Sequence, residues 1–553
     1  MNTATEKPTL PENFYLLHDD SDADSRPNRL CVCLSDVHFT DGTVGNQSAE
    51  TVVWEELFDN IVDMCKDEEN DIKELTLVLV GDVVDMIRTA LWSRHNVYPW
   101  QREDPSFKKI LREIMQGIIE QHAKPPAEQH KCGFFYLLQQ LPKKLTGSDG
   151  KTSCTVQTLV LLGNHDKEIF ADDETLKMFY EQCLGQSIQS LSPAYRRWIG
   201  KMYFNNPNHY DDPHSVPRLP FYWGDQGFRL FVTHGQWRDD DNSRRIKPQQ
   251  DKPGWQVKDG WRPDIWQAID YAPFTQACFG DTVAAGLLSG FIDRTKKRLD
   301  ALEIALTEKE KLAPQGGDQE ITREYQEIGR LNQILDELDL YRPTYAAVQR
   351  IIKEIWRLRK QSKPLTNIEA IIEEELFNSI YTWLSWDFTL VSATPSRRLV
   401  LRIARMFVGI LKRLGARIEL GFLYSVMWVL NRLQQGIFYH KDNPSYKEMR
   451  RFPTFLKEFR DYGFRIHGEG HTHIPLQDEL DFGEPEKNPN YTYINFGTWR
   501  DQIVLKQKKS YRRQEVGRAL SVVDLAAKSN HKERSFNYWV EDVLSWGDHL
   551  DRL

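Results

Sequence analysis

Seven side chains of the kinds that hold divalent metals fall in five short motifs. Asp36 and His38 lie in Asp36-Val37-His38, and Asp82 in Gly81-Asp82-Val83-Val84-Asp85. Asn164 lies in Gly163-Asn164-His165-Asp166, His234 precedes Gly235, and His471 and His473 lie in Gly470-His471-Thr472-His473. Carboxylate, imidazole and amide oxygen together suit Mn, Fe or Zn, and no thiolate belongs to the set. Seven donors are too many for one tetrahedral ion. They suffice for two ions if one carboxylate bridges, and two metals about 3.5–4 Å apart can clamp an in-line phosphoryl displacement. Residues i and i+2 of an extended chain share a side, so Asp36 and His38 are expected to chelate together, as are His471 and His473. The glycines before Asp82, Asn164 and His471 permit tight turns and close backbone approach.

Each motif ends a short apolar run. Leu30–Leu34, Leu75–Val80, Val156–Leu162 and Phe228–Val232 read as buried strands, and strand-like runs return at Phe464–His467, Tyr491–Phe496 and Ala519–Val523. Thr51–Lys66 carries Val53, Leu57, Ile61 and Met64 at helical spacing, so parallel β-α-β units and an α/β sheet are expected. The pattern divides the chain into a polar tail (1–27), a first core part (28–245), a helical insertion (246–452) and a closing core part with the C-terminal segment (453–553). Within the insertion, residues 250–270 read as an aromatic-rich loop with Trp255, Trp261 and Trp266, and 313–319 reads as a second loop. Helical stripes are expected over 321–340, 344–360, 396–414 and 418–439.

The ordered set of five motifs resembles the calcineurin-like metallophosphoesterase superfamily, over roughly 28–245 and 453–545. That resemblance implies a four-layer α/β/β/α sandwich with a dinuclear metal centre, here interrupted by the large helical insertion. It implies one metal on Asp36, His38, Asp82 and His473, and a second on Asp82, Asn164, His234 and His471, with Asp82 bridging. Mn or Fe is expected, with Zn or Ni as alternatives. A metal-bridging hydroxide would attack a phosphodiester or pyrophosphate, His165 would assist the leaving group, and Asp166 would orient His165 and favour its imidazolium form. Asp85 is expected to fix a ligand histidine or the loop. Serine/threonine phosphatases of the superfamily follow Asp85's position at once with Arg-Gly, whereas Met86-Ile87 follows here and Arg88 is displaced. The Asn495-x-Gly497-x-Trp499 run resembles the branch near the UDP-2,3-diacylglucosamine hydrolases, though those commonly carry Arg where His165 stands. Phosphomonoesterase, nuclease and non-catalytic metal-binding scaffold are the alternative readings.

The remaining chemistry is read more plainly. His467 is expected to be a strand histidine rather than a ligand, and Cys31 and Cys33 to be core. Arg88, Arg94, Arg238 and Arg500 stand near motif ends, where each could hold phosphate or form a salt bridge. Residues 397–417 carry seven basic side chains and no acidic one. Arg398, Arg402, Arg405 and Lys412 fall on one stripe, and Val400, Ile403, Phe407, Ile410, Leu411 and Leu414 fall opposite. Such a helix can pack in a bundle or contact an anionic membrane peripherally, and the neighbouring Phe422–Leu430 is apolar nearly all round.

The 553 residues are 40% hydrophobic and 27% charged, which excludes a wholly disordered or fibrous chain. A net charge of −8 argues against a chain-wide basic groove for nucleic acid. Seven cysteines without a Cys-x-x-Cys pair argue against a disulfide scaffold or zinc ribbon. With no signal-like or membrane-spanning run, the expected setting is cytoplasmic, with the basic helix as the one candidate for peripheral membrane contact.

Overall fold

The computed structural model describes residues 26–45, 48–125, 133–146, 153–239, 241–243, 254–255, 269–312, 319–342, 345–360, 365–413, 462–480, 491–505, 511–527 and 534–543. Residues 1–25 of the tail, most of 250–270, residues 313–318 of the expected 313–319 loop, the stretch 418–439 expected to be helical and the Phe422–Leu430 run lie outside the described residues, and Gln319 opens a helix.

The apolar runs form strands because their side chains can be buried on both faces. The twelve described strands, numbered along the chain, are β1 (Arg29–Leu34), β2 (Glu74–Leu79), β3 (Thr155–Val160), β4 (Tyr222–Asp225), β5 (Leu230–Thr233), β6 (Tyr341–Arg342), β7 (Ile466–Glu469), β8 (Leu476–Leu480), β9 (Tyr491–Asn495), β10 (Gly497–Leu505), β11 (Tyr511–Leu525) and β12 (Ser535–Val543). They build two mixed sheets in a mixed α/β fold. The seven-stranded sheet runs β3-β2-β1-β11-β10-β6, with β12 also on β11, and the five-stranded sheet runs β4-β5-β7-β9-β8.

The expected β-α-β crossover is present. β1 and β2 pair in parallel, as do β2 and β3, and the helix Thr51–Lys66 connects the first two. That helix buries Val53, Trp54, Leu57, Phe58, Ile61 and Val62 on one stripe. β5 and β7 are likewise parallel. The carboxyl ends of β1, β2 and β3, and those of β5 and β7, are therefore where the five motifs emerge.

One apolar cluster contains side chains of both sheets, including Val32, Leu77, Val232, Ile466, Tyr493 and Val522. Arg29 ties the two sheets together, bonding Asp524 of β11 at 2.8 Å and Asp225 of β4 at 3.0 Å, all three buried. A second apolar cluster is helical, built from Gly290–Leu312, Gln319–Glu337, Tyr345–Arg359, Thr366–Ser385 and Pro395–Arg413. This helical region is not merely appended to the core. Its β6 pairs in parallel with Ile503–Val504 of β10 and so forms an edge of the larger sheet. Arg94–Asp293, Lys167–Asp281 and Arg500–Asp339 link the same two regions.

Candidate metal centre

The loops after β1 and β2 run side by side: the His38 amide donates to the Asp82 carbonyl at 2.9 Å, and the Phe39 amide to the Val83 carbonyl at 3.0 Å. Nearby backbone is held in an uncommon conformation. Asp36 (φ 56°), His38 (φ 49°), Asp82 (φ 50°), His471 (φ 68°) and His473 (φ 62°) are all left-handed. Non-glycine residues adopt that conformation only when their surroundings impose it, and such positions cluster at functional sites. The expectation that Asp36/His38 and His471/His473 converge along extended chain is thus corrected. Tight left-handed turns aim them instead.

The seven expected ligands come together. Asp36, His38, Asp82 and His473 form one buried group, and Asp82, His234 and His471 form another, the donor atoms of each lying within 4.8 Å of one another. His473 Nε2 is 2.9 Å from His38 Nε2 and 3.2 Å from Asp36 Oδ1. His234 Nε2 is 3.2 Å from Asp82 Oδ2. Asn164 Oδ1 lies 2.8 Å from His471 Nδ1, so the amide joins the second group. Asp82 belongs to both.

Two features fit these donors to cations. Asp36 and Asp82 are buried carboxylates, and burial alone would suppress their ionisation, yet His234 and the other histidines hold both below the usual carboxylate range. Burial opposes a charge on His234, but Asp82 and Asp36 carry it up to about 10. The same group also has tautomers set for ligation. His38 Nδ1 donates to Asp85 at 3.1 Å and His234 Nδ1 to the Val80 carbonyl at 2.8 Å, leaving each Nε2 facing the cluster. His234 Nε2 is buried and points at the Asp82 carboxylate. The residues therefore fit divalent metal ions, with the identity and number of ions open.

The expected role of Asp166 is corrected. Its carboxylate accepts from the amides of Asp82 (2.7 Å), Val83 (2.7 Å), Val84 (2.8 Å) and Gly163 (2.8 Å), not from His165. Geometry explains this: Asp166 stands just before the turn Lys167–Ala171 but does not cap it with its side chain, which instead reaches four otherwise unpaired amides of the β2 loop and Gly163. Asp85 takes the orienting role. It accepts from His165 Nδ1 at 2.8 Å through Oδ1 and from His38 Nδ1 at 3.1 Å through Oδ2. Nor is His165 driven toward imidazolium. Burial outweighs Asp85 and lowers its affinity for a proton.

Some site residues had no clear sequence signal. Asp239 Oδ2 lies 3.1 Å from His471 Nε2, and the Asp239-Asp240-Asp241 run after His234 is the only hint of it. Glu469 gathers Arg238, His467 and the Tyr493 hydroxyl, each at 2.9 Å, and fixes the strand end before Gly470. His467 is thus a buried strand histidine, outside both ligand groups. Arg88 pairs with Asp85, Arg94 with Asp293, Arg238 with Glu469 and Arg500 with Asp339, so all four arginines are in ion pairs. The six described cysteines are buried and unbridged, Cys31 and Cys33 among them.

Comparison of the chain with protein-family models, with curated proteins and with solved structures finds no match.

Proposed function

We propose that the chain is a metal-dependent phosphohydrolase of the calcineurin-like metallophosphoesterase kind, acting on a phosphodiester or pyrophosphate bond. The observation that carries this reading is that one carboxylate, Asp82, belongs to two adjacent groups of donors, buried except for half-buried His471. Asp36, His38, Asp82 and His473 would hold one ion, and Asp82, Asn164, His234 and His471 the other. Two bound divalent ions would acidify water and neutralise charge on the phosphoryl group. His165, half-buried and held by Asp85 through Nδ1, would present Nε2 to the departing oxygen and assist its leaving. The four-layer sandwich belongs to the same proposal, and the two mixed sheets sharing one apolar core are compatible with it.

The helical region would form a wall of the substrate site. Its Asp281 pairs with Lys167, which also donates to the Asn164 carbonyl, and its Arg397 pairs with Asp241 beside Asp239. Elemental analysis of the purified protein, with hydrolysis of bis-p-nitrophenyl phosphate against p-nitrophenyl phosphate, tests the reading. Faster turnover of the diester supports it. Bound metal with turnover of neither ester supports a scaffold instead.

A further inference from the structure

The helix Pro395–Arg413 buries a different stripe from the one its sequence suggests. Leu401, Ala404 and Val408 pack into the helical core. Ile403 and Ile410, on the expected apolar face, point outward instead, and Leu414 lies outside the described residues. With them stand Leu399 and Met406, giving exposures of 62% (Leu399), 56% (Ile403), 63% (Met406) and 47% (Ile410). At 3.6 residues per turn these four fall within an arc of roughly 60°. Four large side chains in one exposed row are unusual on a soluble surface and mark a contact site.

Charge identifies what the row would meet. No acidic residue occurs between 395 and 413, while Arg402 and Arg413 border the row and are exposed without an ion-pair partner among the described residues. Arg398, Arg405 and Lys412 extend the basic flank; among the described residues Arg405 pairs with Asp387 at 2.9 Å, Arg398 donates to the Val391 and Ala393 carbonyls, and Lys412 lies over the Tyr381 ring. Large exposed apolar side chains flanked by cations on one helix are the pattern of an in-plane interfacial helix on anionic lipid. No helix among the described residues is long and apolar enough to cross a membrane, so the contact would be peripheral.

We infer that Pro395–Arg413 docks the protein on an anionic phospholipid surface, with Leu399, Ile403, Met406 and Ile410 entering the headgroup boundary. The first turn of the same helix carries Arg397, paired with Asp241, two residues from the Asp239 that touches His471. Arg397 falls on the face of the helix opposite the row, so docking would leave this link to the candidate metal centre intact.

Co-sedimentation of the full chain with vesicles tests the inference without reference to hydrolysis. Vesicles of phosphatidylcholine alone are compared with vesicles that also contain phosphatidylglycerol. The protein is expected to pellet with the anionic vesicles only, less so as salt rises. Arg402→Gln and Arg413→Gln are each expected to weaken partition about fivefold, as for one cation near a charged surface. Ile403→Asp with Met406→Asp is expected to abolish it while far-UV circular dichroism and unfolding temperature stay unchanged, since both positions face out. Protein that remains in the supernatant with both vesicles overturns the inference. So does binding that the Ile403/Met406 variant retains. A concentration-dependent dimer that this variant dissociates, without vesicle binding, overturns it in favour of a second copy of the chain.

Discussion

Two neighbouring carboxylates of similar sequence prominence do different work, and substitution separates them. Asp85 orients His165 and the candidate ligand His38 at once, so Asp85→Asn is expected to lower metal affinity about 10–100-fold and to slow ester hydrolysis. His165→Gln removes only the ring that would assist the leaving group. It is expected to keep its metal content by elemental analysis while turnover of bis-p-nitrophenyl phosphate falls about 10²–10⁴-fold. Asp166→Ala strands four buried amide donors beneath Asp82. It is expected to destabilise the fold by about 3 kcal/mol or more in urea unfolding, because each orphaned donor costs on the order of 1–3 kcal/mol. Had Asp166 merely steered His165, stability would stay near that of the parent.

At the scale of the element, the strand-to-loop transitions are the functional unit. The parallel strands deliver their motifs to a common edge, and glycines let the loops close upon one another. A Cβ on Gly470 would sit 2.0 Å from Ser35 Oγ and 2.2 Å from Asp36 Oδ2, and one on Gly163 would sit 2.2 Å from both the amide and Oδ1 of Asp82. Neither Asp36 nor Asp82 can yield without moving a candidate metal donor. Gly470→Ala is therefore expected to abolish binding at the Asp36 group while the far-UV circular dichroism spectrum is kept, with metal titration as the readout. Gly409, which has nothing within 4 Å of a built Cβ, supplies the control: Gly409→Ala is expected to leave metal binding unchanged.

The whole molecule is held by buried ion pairs that span its parts. Arg29 joins the two sheets through Asp225 and Asp524. Burial opposes the charge on Asp524, but Arg534 and Arg29 hold it below the usual carboxylate range. A depressed folded value stabilises above the unfolded value of about 3.9 and is lost as pH falls through the folded value. Asp524→Asn is expected to unfold at lower temperature near neutral pH, leaving Arg29 undercompensated at about 3 kcal/mol. Its further loss below about pH 4 should be shallower than that of the parent in thermal scans. The helical region is bound to the sheets in the same manner. Removing 246–452 would take away β6 and leave Lys167 without Asp281 and Arg500 without Asp339. Such a deletion is expected to fail to refold, so substrate choice by this region is better probed with point variants.

By itself, the sequence determined the donor inventory and the strands that carry it. Metal-binding chemistry resides in a few residue types within short motifs, and a doubly buried strand has to be written as an apolar run, so Asp36 through His473 and β1, β2 and β3 were legible. Contacts between distant segments decided the rest. The adjacency of His165 and Asp166 suggested a pair, yet side chains of consecutive residues point apart, and an acid eighty residues earlier reached the ring first. The helix Pro395–Arg413 is apolar on more than one side, so its own periodicity could not choose which stripe to bury; packing against Thr366–Ser385 chose it. Two-residue β6 and the Asp239 contact leave no periodic trace at all. They exist because the tertiary arrangement brings an unpaired strand edge and a histidine within reach of them.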